Sequence, residues 1–301
     1  MVPAAEKPAV DNMLSFDIEG QAEALDGFAQ VPQRYLQDRL QNGEIEANTR
    51  TLLDFLGERD QKATFFILGR IAREMPGLVR AIADAGHEIG CHSFHHRRLY
   101  YYTAAEVAAF IKEAKQRLED ASGKPAFGFR APQFSIVARN RWVFDVLGEL
   151  GFTYDSSVYP TGLHDFYGIG AFPTEPFRLP NGLISVPMSV IRLFKMEIPF
   201  GGGGYLRLYP LALTTWCFRR LNRGGAPGMV YLHPFEVGNL VVKIDEMSLP
   251  QRFRRLVGRR TARRKLAHLM RNLRFLPIKD YLDRHGVSDL AGCVPPKETD
   301  R

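Results

Sequence analysis

Two histidines and two carboxylates are the residues of this chain whose types and spacing could do chemistry. His92 and His96 lie four residues apart in the run His92-Ser93-Phe94-His95-His96, and Asp17 and Glu19 lie two residues apart in an earlier segment. Imidazoles at that spacing can converge on one divalent ion, and a carboxylate from a separate strand end can supply a third ligand, which leaves one position for water. The second carboxylate shares a strand face with the first and could accept a proton from that water. The pattern predicts a metal-assisted hydrolase.

Composition sets the broad class of the chain. It has 301 residues, of which 45% are apolar and 24% charged, as is typical of a soluble globular protein with one large α/β domain or two small ones. No window reaches the ~18 consecutive apolar residues of a membrane span. The first twelve residues include Glu6, Lys7 and Asp11 and lack the apolar core of a secretory signal. The three cysteines match no zinc or disulfide spacing. We therefore expect a cytoplasmic enzyme.

The net charge of +7 is concentrated near the C-terminus. Arginine and lysine recur between residues 252 and 274, where aspartate and glutamate are absent and apolar residues keep helical spacing. This pattern predicts a basic amphipathic helix or helix pair. Two interpretations stay open: a helix that covers the core and has a solvated face, or a surface that attracts an anionic partner such as phospholipid headgroups, a lipid-linked diphosphate sugar or nucleic acid.

Alternating strands and helices must position the reactive residues. Short apolar runs predict strands, and the segments between them have helical periodicity. The predicted strands cover residues 12–16, 63–68, 87–91, 127–130, 152–155 and 228–232, and the predicted helices cover 48–59, 76–85, 103–120 and 139–150. The order implies a mostly parallel sheet, and the residues at or just after the strand ends are Asp17, Glu19, His92, Arg130, Asp155 and His233. Because active sites collect at that edge in barrels of parallel strands, we expect one common site.

The segment from residue 160 to 210 departs from this alternation. It is rich in proline, glycine and aromatic residues, which predicts long loops on the substrate side and a small hairpin layer. It also contains the run Gly201-Gly202-Gly203-Gly204. Two interpretations of that run stay open, since its backbone could approach a ligand closely or could serve as a flexible linker.

Five motifs in order resemble those of the polysaccharide deacetylases with a NodB homology domain. They are Ser15 to Gly20, His92 to His96, Phe129 to Ser135, Tyr154 to Ser157 and Leu232 to Glu236. The likeness is strongest to the branch associated with bacterial exopolysaccharide export loci. That branch also has a His-Asp-x-Tyr-Gly element, a glycine-rich loop before a Tyr-Leu-Arg-Leu motif, and a basic C-terminal segment. In this chain the first element is His164-Asp165-Phe166-Tyr167-Gly168, and the second motif is Tyr205 to Leu208.

The resemblance implies a fold and a division of the chain. We expect a distorted (β/α) barrel with long substrate-side loops over residues 13–276, which would form the catalytic domain and include the basic segment 252–274. Residues 1–12 would be an N-terminal extension and residues 277–301 a C-terminal tail.

The resemblance also implies a role for each site residue. Asp17 would be the general base, Glu19, His92 and His96 would bind the metal, and His233 would be the general acid. Arg130 would orient Asp17, since its guanidinium fork fits a carboxylate bidentately. Asp155 would steady His233, the backbone N–H of Gln133 would stabilise the oxyanion, and Phe134 and Tyr205 would contact substrate. Zinc is the expected metal, and cobalt, nickel or iron suit the same ligands.

Two assignments stay open. The wider family has two adjacent aspartates in its first motif, whereas here Ile18 separates Asp17 from Glu19. Residues two apart share a strand face, so both can serve, but base and ligand could be exchanged. Asp155, followed by Ser156 and Ser157, could instead form an Asx turn.

The leading hypothesis is metal-dependent removal of an N-acetyl group from an amino sugar of a bacterial polysaccharide or of its lipid-linked precursor. The basic segment could hold such an enzyme at the anionic inner membrane surface. One alternative is a deformylase or another hydrolase of a small amide or formamido sugar. The other is a non-catalytic protein that binds an anionic surface or nucleic acid, of which nucleic acid is the less favoured. Steep salt dependence without bound metal would support this last class.

Overall fold

A curled, mostly parallel β-sheet forms the centre of the molecule in the computed structural model, which describes residues 10–26, 31–161, 168–169, 172–193 and 196–287. Its strands are β1 (Asp11–Ile18), β2 (Thr64–Ile67), β3 (Glu88–Cys91), β4 (Gly128–Phe129), β5 (Tyr154–Asp155), β6 (Phe177–Arg178), β7 (Ile184–Ser185), β10 (Met229–Leu232) and β11 (Arg274–Leu276). The strand order is β10-β1-β2-β3-β4-β5-β7-β6, β11 also pairs with β1, and of these pairs β6–β7 is antiparallel. The predicted distorted barrel of parallel strands is confirmed.

Helices connect the parallel strands. They are α1 (Gln21–Asp26), α2 (Asp38–Gly57), α3 (Gly69–Glu74), α4 (Pro76–Asp84), α5 (Ala104–Ser122), α6 (Val143–Glu149), α7 (Gly203–Leu208), α8 (Leu211–Arg223), α9 (Pro234–Val237), α10 (Leu249–Leu256), α11 (Arg259–Asn272) and α12 (Ile278–His285). Helix α5 begins at the Thr103–Glu106 capping box. The basic segment forms a helix pair that breaks at Gly258, whose φ is 64°.

The core lies between the sheet and its helices. Every residue of β1 and β2 is buried, including the polar Asp11, Asn12, Ser15 and Asp17 of β1. Phe16 and Phe65 contact each other across neighbouring strands, with ring centroids 5.4 Å apart. Helix α2 buries Leu52 and Phe55 in the same core cluster. Because the apolar side chains of the strands pack in this core, packing sets the orientation of the polar residues at the strand ends.

The glycine-rich run lies directly against strand β10. A Cβ on Gly201 would lie 2.0 Å from the carbonyl oxygen of Met229, and one on Gly202 would lie 2.7 Å from the Tyr231 ring. Tyr231 N–H also donates to the Gly201 carbonyl at 3.0 Å. The linker interpretation is wrong for this part of the run, because the missing side chains let the loop backbone pair with the protein's own strand.

The rest of the 160–210 segment is described in part. Strands β8 (Val190–Leu193) and β9 (Met196–Pro199) form the expected small antiparallel hairpin. The motif residues 164–167 lie outside the described residues. Beyond residue 276, Ile278 and Leu282 of α12 are buried in one cluster with Met13. The domain boundaries taken from the resemblance stay predictions. Over the described ranges, the structure contains no helix long and apolar enough to cross a bilayer.

Candidate active site

The carboxyl ends of the parallel strands meet at one cavity. Asp17, Glu19, His92, His96 and His233 line this cavity, whose volume is about 330 Å³. They come from β1, from the loop after β3 and from the end of β10. Strand pairing brings them together, because β1 lies between β10 and β2, and β2 pairs with β3 in parallel register.

Glu19, His92 and His96 form a cluster that could hold a metal ion. One ligand atom from each lies within 4.8 Å of the others. Glu19 Oε2 lies 3.5 Å from His92 Nε2 and also contacts His96 Nε2, and all three side chains are at most 4% exposed. Burial alone would raise the pKa of Glu19, but the neighbouring His96 and His233 hold it well below its usual range.

The donor set fits a divalent cation. Glu19 Oε2 is buried and accepts no hydrogen bond from the described part of the chain. His92 Nδ1 lies 2.7 Å from the Arg130 carbonyl, so Nδ1 carries the proton and the lone pair of Nε2 faces Glu19. A carboxylate and two imidazoles are a frequent ligand set of catalytic zinc. The structure thus contains a possible metal site.

A buried ion pair between Arg70 and Glu23 connects the loop that carries His92 and His96 to the segment that carries Glu19. The loop carbonyls of Ser93 and Phe94 accept hydrogen bonds from Gly69 and Arg70 N–H at 2.8 and 3.1 Å. The Arg70 guanidinium binds both carboxylate oxygens of Glu23, and Glu23 in turn accepts the N–H of Gly20, the residue after Glu19. Sequence reasoning missed Arg70 and Glu23, because no local motif relates them.

Arg130 holds Asp17 at the edge of the cluster. Its Nη1 donates to Asp17 Oδ1 at 2.7 Å and to Ser15 Oγ at 2.9 Å, while Nε and Nη2 donate to the carbonyl and hydroxyl of Ser156. The expected bidentate hydrogen bonding of Arg130 to Asp17 is therefore wrong, because Nη1 alone donates to Asp17, while Nε and Nη2 donate to Ser156. Arg130 is fully buried, with its guanidinium carbon 4.2 Å from the centroid of the Phe66 ring. The side chain is thus held rigidly.

Asp155 does not contact His233. Its carboxylate accepts the N–H of Ser157 at 3.0 Å and the Ser157 hydroxyl, as in the alternative Asx turn. Burial raises the pKa of Asp155 to about 7, although the Ser157 hydrogen bonds and Arg130 oppose that rise. The Ser157 hydroxyl also accepts the Ala131 N–H at 2.7 Å. The expectation that Asp155 steadies His233 is wrong, and Asp155 instead supports the loop that follows Arg130.

Glu236 is the carboxylate that holds His233. His233 Nδ1 lies 3.1 Å from Glu236 Oε2, and His233 Nε2 lies 3.1 Å from Glu19 Oε1. Arg207 Nε donates to the other Glu236 oxygen at 2.7 Å. Burial would lower the pKa of His233, but Glu19 and Glu236 raise it to about 10. Burial would raise the pKa of Glu236, but Arg207 and His233 lower it to about 2.

The sequence contained a signal for this contact. Glu236 lies three residues after His233, with Pro234 in the first helical position, which is the spacing of a capping box. The Glu236 carboxylate accordingly accepts the His233 N–H at 3.0 Å. Arg207 lies in the Tyr205 to Leu208 motif, but nothing in the spacing relates it to Glu236.

The remaining predicted site residues line the cavity wall. Gln133 and Phe134 have φ values of 53° and 52°, a left-handed conformation that costs non-glycine residues about 1–2 kcal/mol each. The Gln133 side chain accepts a hydrogen bond from Arg98 Nε at 2.6 Å. Tyr205 lies on the same wall. Two consecutive residues with left-handed backbone thus form part of the cavity wall.

Two parts of the chain match known family models. Residues 38–154 match the family model described as polysaccharide deacetylase, and residues 156–283 match a domain of unknown function, DUF3473. The chain is similar to peptidoglycan-N-acetylmuramic acid deacetylase PdaA of Bacillus subtilis, with 32% identity over 28% of this chain and 32% of that protein. It is 38% identical to a chitooligosaccharide deacetylase of Azorhizobium caulinodans over 36% of this chain and 51% of that protein.

A solved structure has a similar fold. It is a provisionally assigned polysaccharide deacetylase from Mycobacterium smegmatis, with a TM-score of 0.62 and 20% identity over 98% of this chain and 97% of that one. Residues 38–154 thus match the polysaccharide deacetylase family, and a region that matches DUF3473 follows them. The matches span about a third to a half of the two curated relatives.

Proposed function

We propose that this protein is a metal-dependent amidohydrolase that removes the N-acetyl group from an amino sugar of a bacterial glycan. The observation that carries the proposal is the single cavity in which Glu19, His92 and His96 converge, with Asp17 and His233 beside them. The names of its relatives support the substrate class, because they act on N-acetylated sugars of peptidoglycan and on chitooligosaccharides.

The residues around the cluster can divide the chemistry between them. A divalent ion held by Glu19, His92 and His96 would polarise the amide carbonyl and make water more acidic. Asp17, oriented by Arg130, would take the proton of the attacking water. His233, whose pKa is raised by Glu19 and Glu236, would donate a proton from Nε2 to the departing sugar amine. The backbone N–H of Gln133 would donate to the oxygen that gains negative charge.

The metal, the substrate and the location are finer parts of the proposal. Zinc suits one carboxylate and two imidazoles, as do cobalt, nickel and iron. The motif likeness to the exopolysaccharide export branch favours a lipid-linked precursor in the cytoplasm. The basic segment 252–274 favours contact with an anionic membrane surface.

Acetate release tests the activity. The full-length protein, loaded with zinc, is incubated with an acetamido sugar on a lipid diphosphate and, separately, with a soluble chitooligosaccharide. We expect acetate from the lipid-linked sugar at the higher kcat/KM. Formate from a formamido sugar without acetate from either substrate would replace deacetylation by deformylation. Release of neither acid, together with salt-sensitive DNA binding, would reject the enzyme in favour of an anion-binding protein.

A further inference from the structure

Helix α10 presents its apolar side chains to solvent. Leu249 is 80% exposed, Phe253 63% and Leu256 49%. Residues four and seven positions apart fall on one face of an α-helix, so the three form a single stripe, which we call the α10 stripe. The apolar face of such a helix is normally buried against the core. Here it is uncovered.

Polar contacts of arginines hold α10 in this orientation. Arg255 Nη2 donates to Gln21 Oε1 at 2.5 Å and to the carbonyl of Val242, and the Arg255 side chain lines the active-site cavity. Arg252 donates to the carbonyls of Asp245 and Met247 at 2.7 and 3.1 Å. The fold therefore anchors the arginine side of the helix and leaves the stripe outward.

The exposed apolar surface continues from the stripe to the cavity. Phe253 lines the cavity together with Leu208, which is itself 54% exposed. Contiguous exposed apolar surface of this kind marks an interaction site.

The charge around the stripe favours an anionic partner. The sequence contains no aspartate or glutamate from residue 247 to 279. Arg252, Arg260 and Arg264 are exposed. An exposed apolar helix face within a segment of exposed cations is the arrangement of helices that lie in the interface of a bilayer with anionic lipids.

We propose that the α10 stripe is a membrane-docking surface, which inserts at the boundary between headgroups and acyl chains of a bilayer that contains anionic phospholipid. Docking would place the mouth of the cavity at the membrane surface, where a lipid-linked sugar is presented. The inference deepens the proposed function and rests on it for the substrate alone.

Vesicle flotation with the full-length protein tests this surface. The vesicles contain phosphatidylglycerol and phosphatidylethanolamine, and pure phosphatidylcholine vesicles serve as the uncharged comparison. The variant is Leu249→Gln with Leu256→Gln, since neither side chain lines the cavity. The matched control is Met196→Gln with Leu213→Gln, which removes side chains that are 51% and 41% exposed on β9 and α8. Thermal unfolding checks that both variants fold.

We expect the wild type and the control variant to float with the anionic vesicles, and the stripe variant to bind at least about tenfold more weakly. Acetate release from a soluble chitooligosaccharide should be the same in all three. The proposal is overturned if the wild type does not float, or if the stripe variant floats equally well. It is also overturned if the wild type dimerises without vesicles and the stripe variant is monomeric. Flotation needs no turnover, so failure of the proposed activity would leave this result intact.

Discussion

Replacing Glu236 by glutamine should weaken the proposed general acid. Glu236 Oε2 lies 3.1 Å from His233 Nδ1, and the pair is part of the reason that the pKa of His233 reaches about 10. An opposite charge at such a distance typically moves a pKa by one to three, and Glu19 would still oppose the fall. We therefore expect the alkaline half-point of kcat to move down by roughly one to two pH units. The sign follows because a general acid is lost as pH rises through its pKa.

The rate at neutral pH should fall as well. Glu236 also fixes the ring of His233, and loss of such an orienting partner typically costs 10- to 100-fold. We expect kcat to drop by about that factor with little change in KM, and Glu236→Asp to recover part of it. The assay is acetate release between pH 6 and 11. An unchanged kcat and an unmoved alkaline half-point in Glu236→Gln would refute the reasoning.

Glycine substitutions test the same contact without removing the carboxylate. A Cβ on Gly203 would lie 1.9 Å from Glu236 Oε2, whereas one on Gly204 would meet nothing within 4 Å. Gly203→Ala should therefore move the alkaline half-point in the same direction as Glu236→Gln, and Gly204→Ala should leave it in place. Equal half-points in the two alanine variants would show that the Glu236 position does not matter.

Two further predictions concern stability, measured by urea unfolding. Arg70→Met should lower the free energy of unfolding by about 3–5 kcal/mol, because it leaves Glu23 buried without its partner. The control Arg50→Met, which removes an exposed ion pair, should lower it by under about 1 kcal/mol. Similar losses in the two variants would contradict the role of the Arg70–Glu23 pair in holding the metal-site loop. Burial, with Lys62 and Lys124, lowers the pKa of His87 to about 4, so the unfolded chain binds the proton first and His87 should contribute a loss of about 2 kcal/mol of stability from pH 7 to 5. The difference in stability between wild type and His87→Gln should change by that amount over this range, and a difference that is constant with pH would count against it.

Most of the strands and helices could be predicted from the sequence, because apolar runs and apolar periodicity are patterns within short segments of the chain. Helix α4 begins at the predicted Pro76, and β3 delivers His92 to the sheet edge as expected. Helix α2 begins at Asp38, ten residues before the predicted start, because its first turns lack a clear apolar stripe.

The site could be predicted only as far as its residues lie in recognisable motifs. The partners of those residues depend on tertiary contacts, which no local pattern predicts. Asp155 was expected beside His233 but binds Ser157, while Glu236 took that position. Arg70 and Glu23 lie 47 residues apart, and no periodicity relates two residues across such a separation.

Metal content of purified variants tests the central claim most directly. The account predicts about one zinc or equivalent divalent ion per chain in the wild type. It predicts loss of that ion in His92→Ala, and retention without acetate release in Asp17→Asn. A wild-type chain that releases acetate after complete metal removal, or His92→Ala that keeps the full metal content, would contradict it.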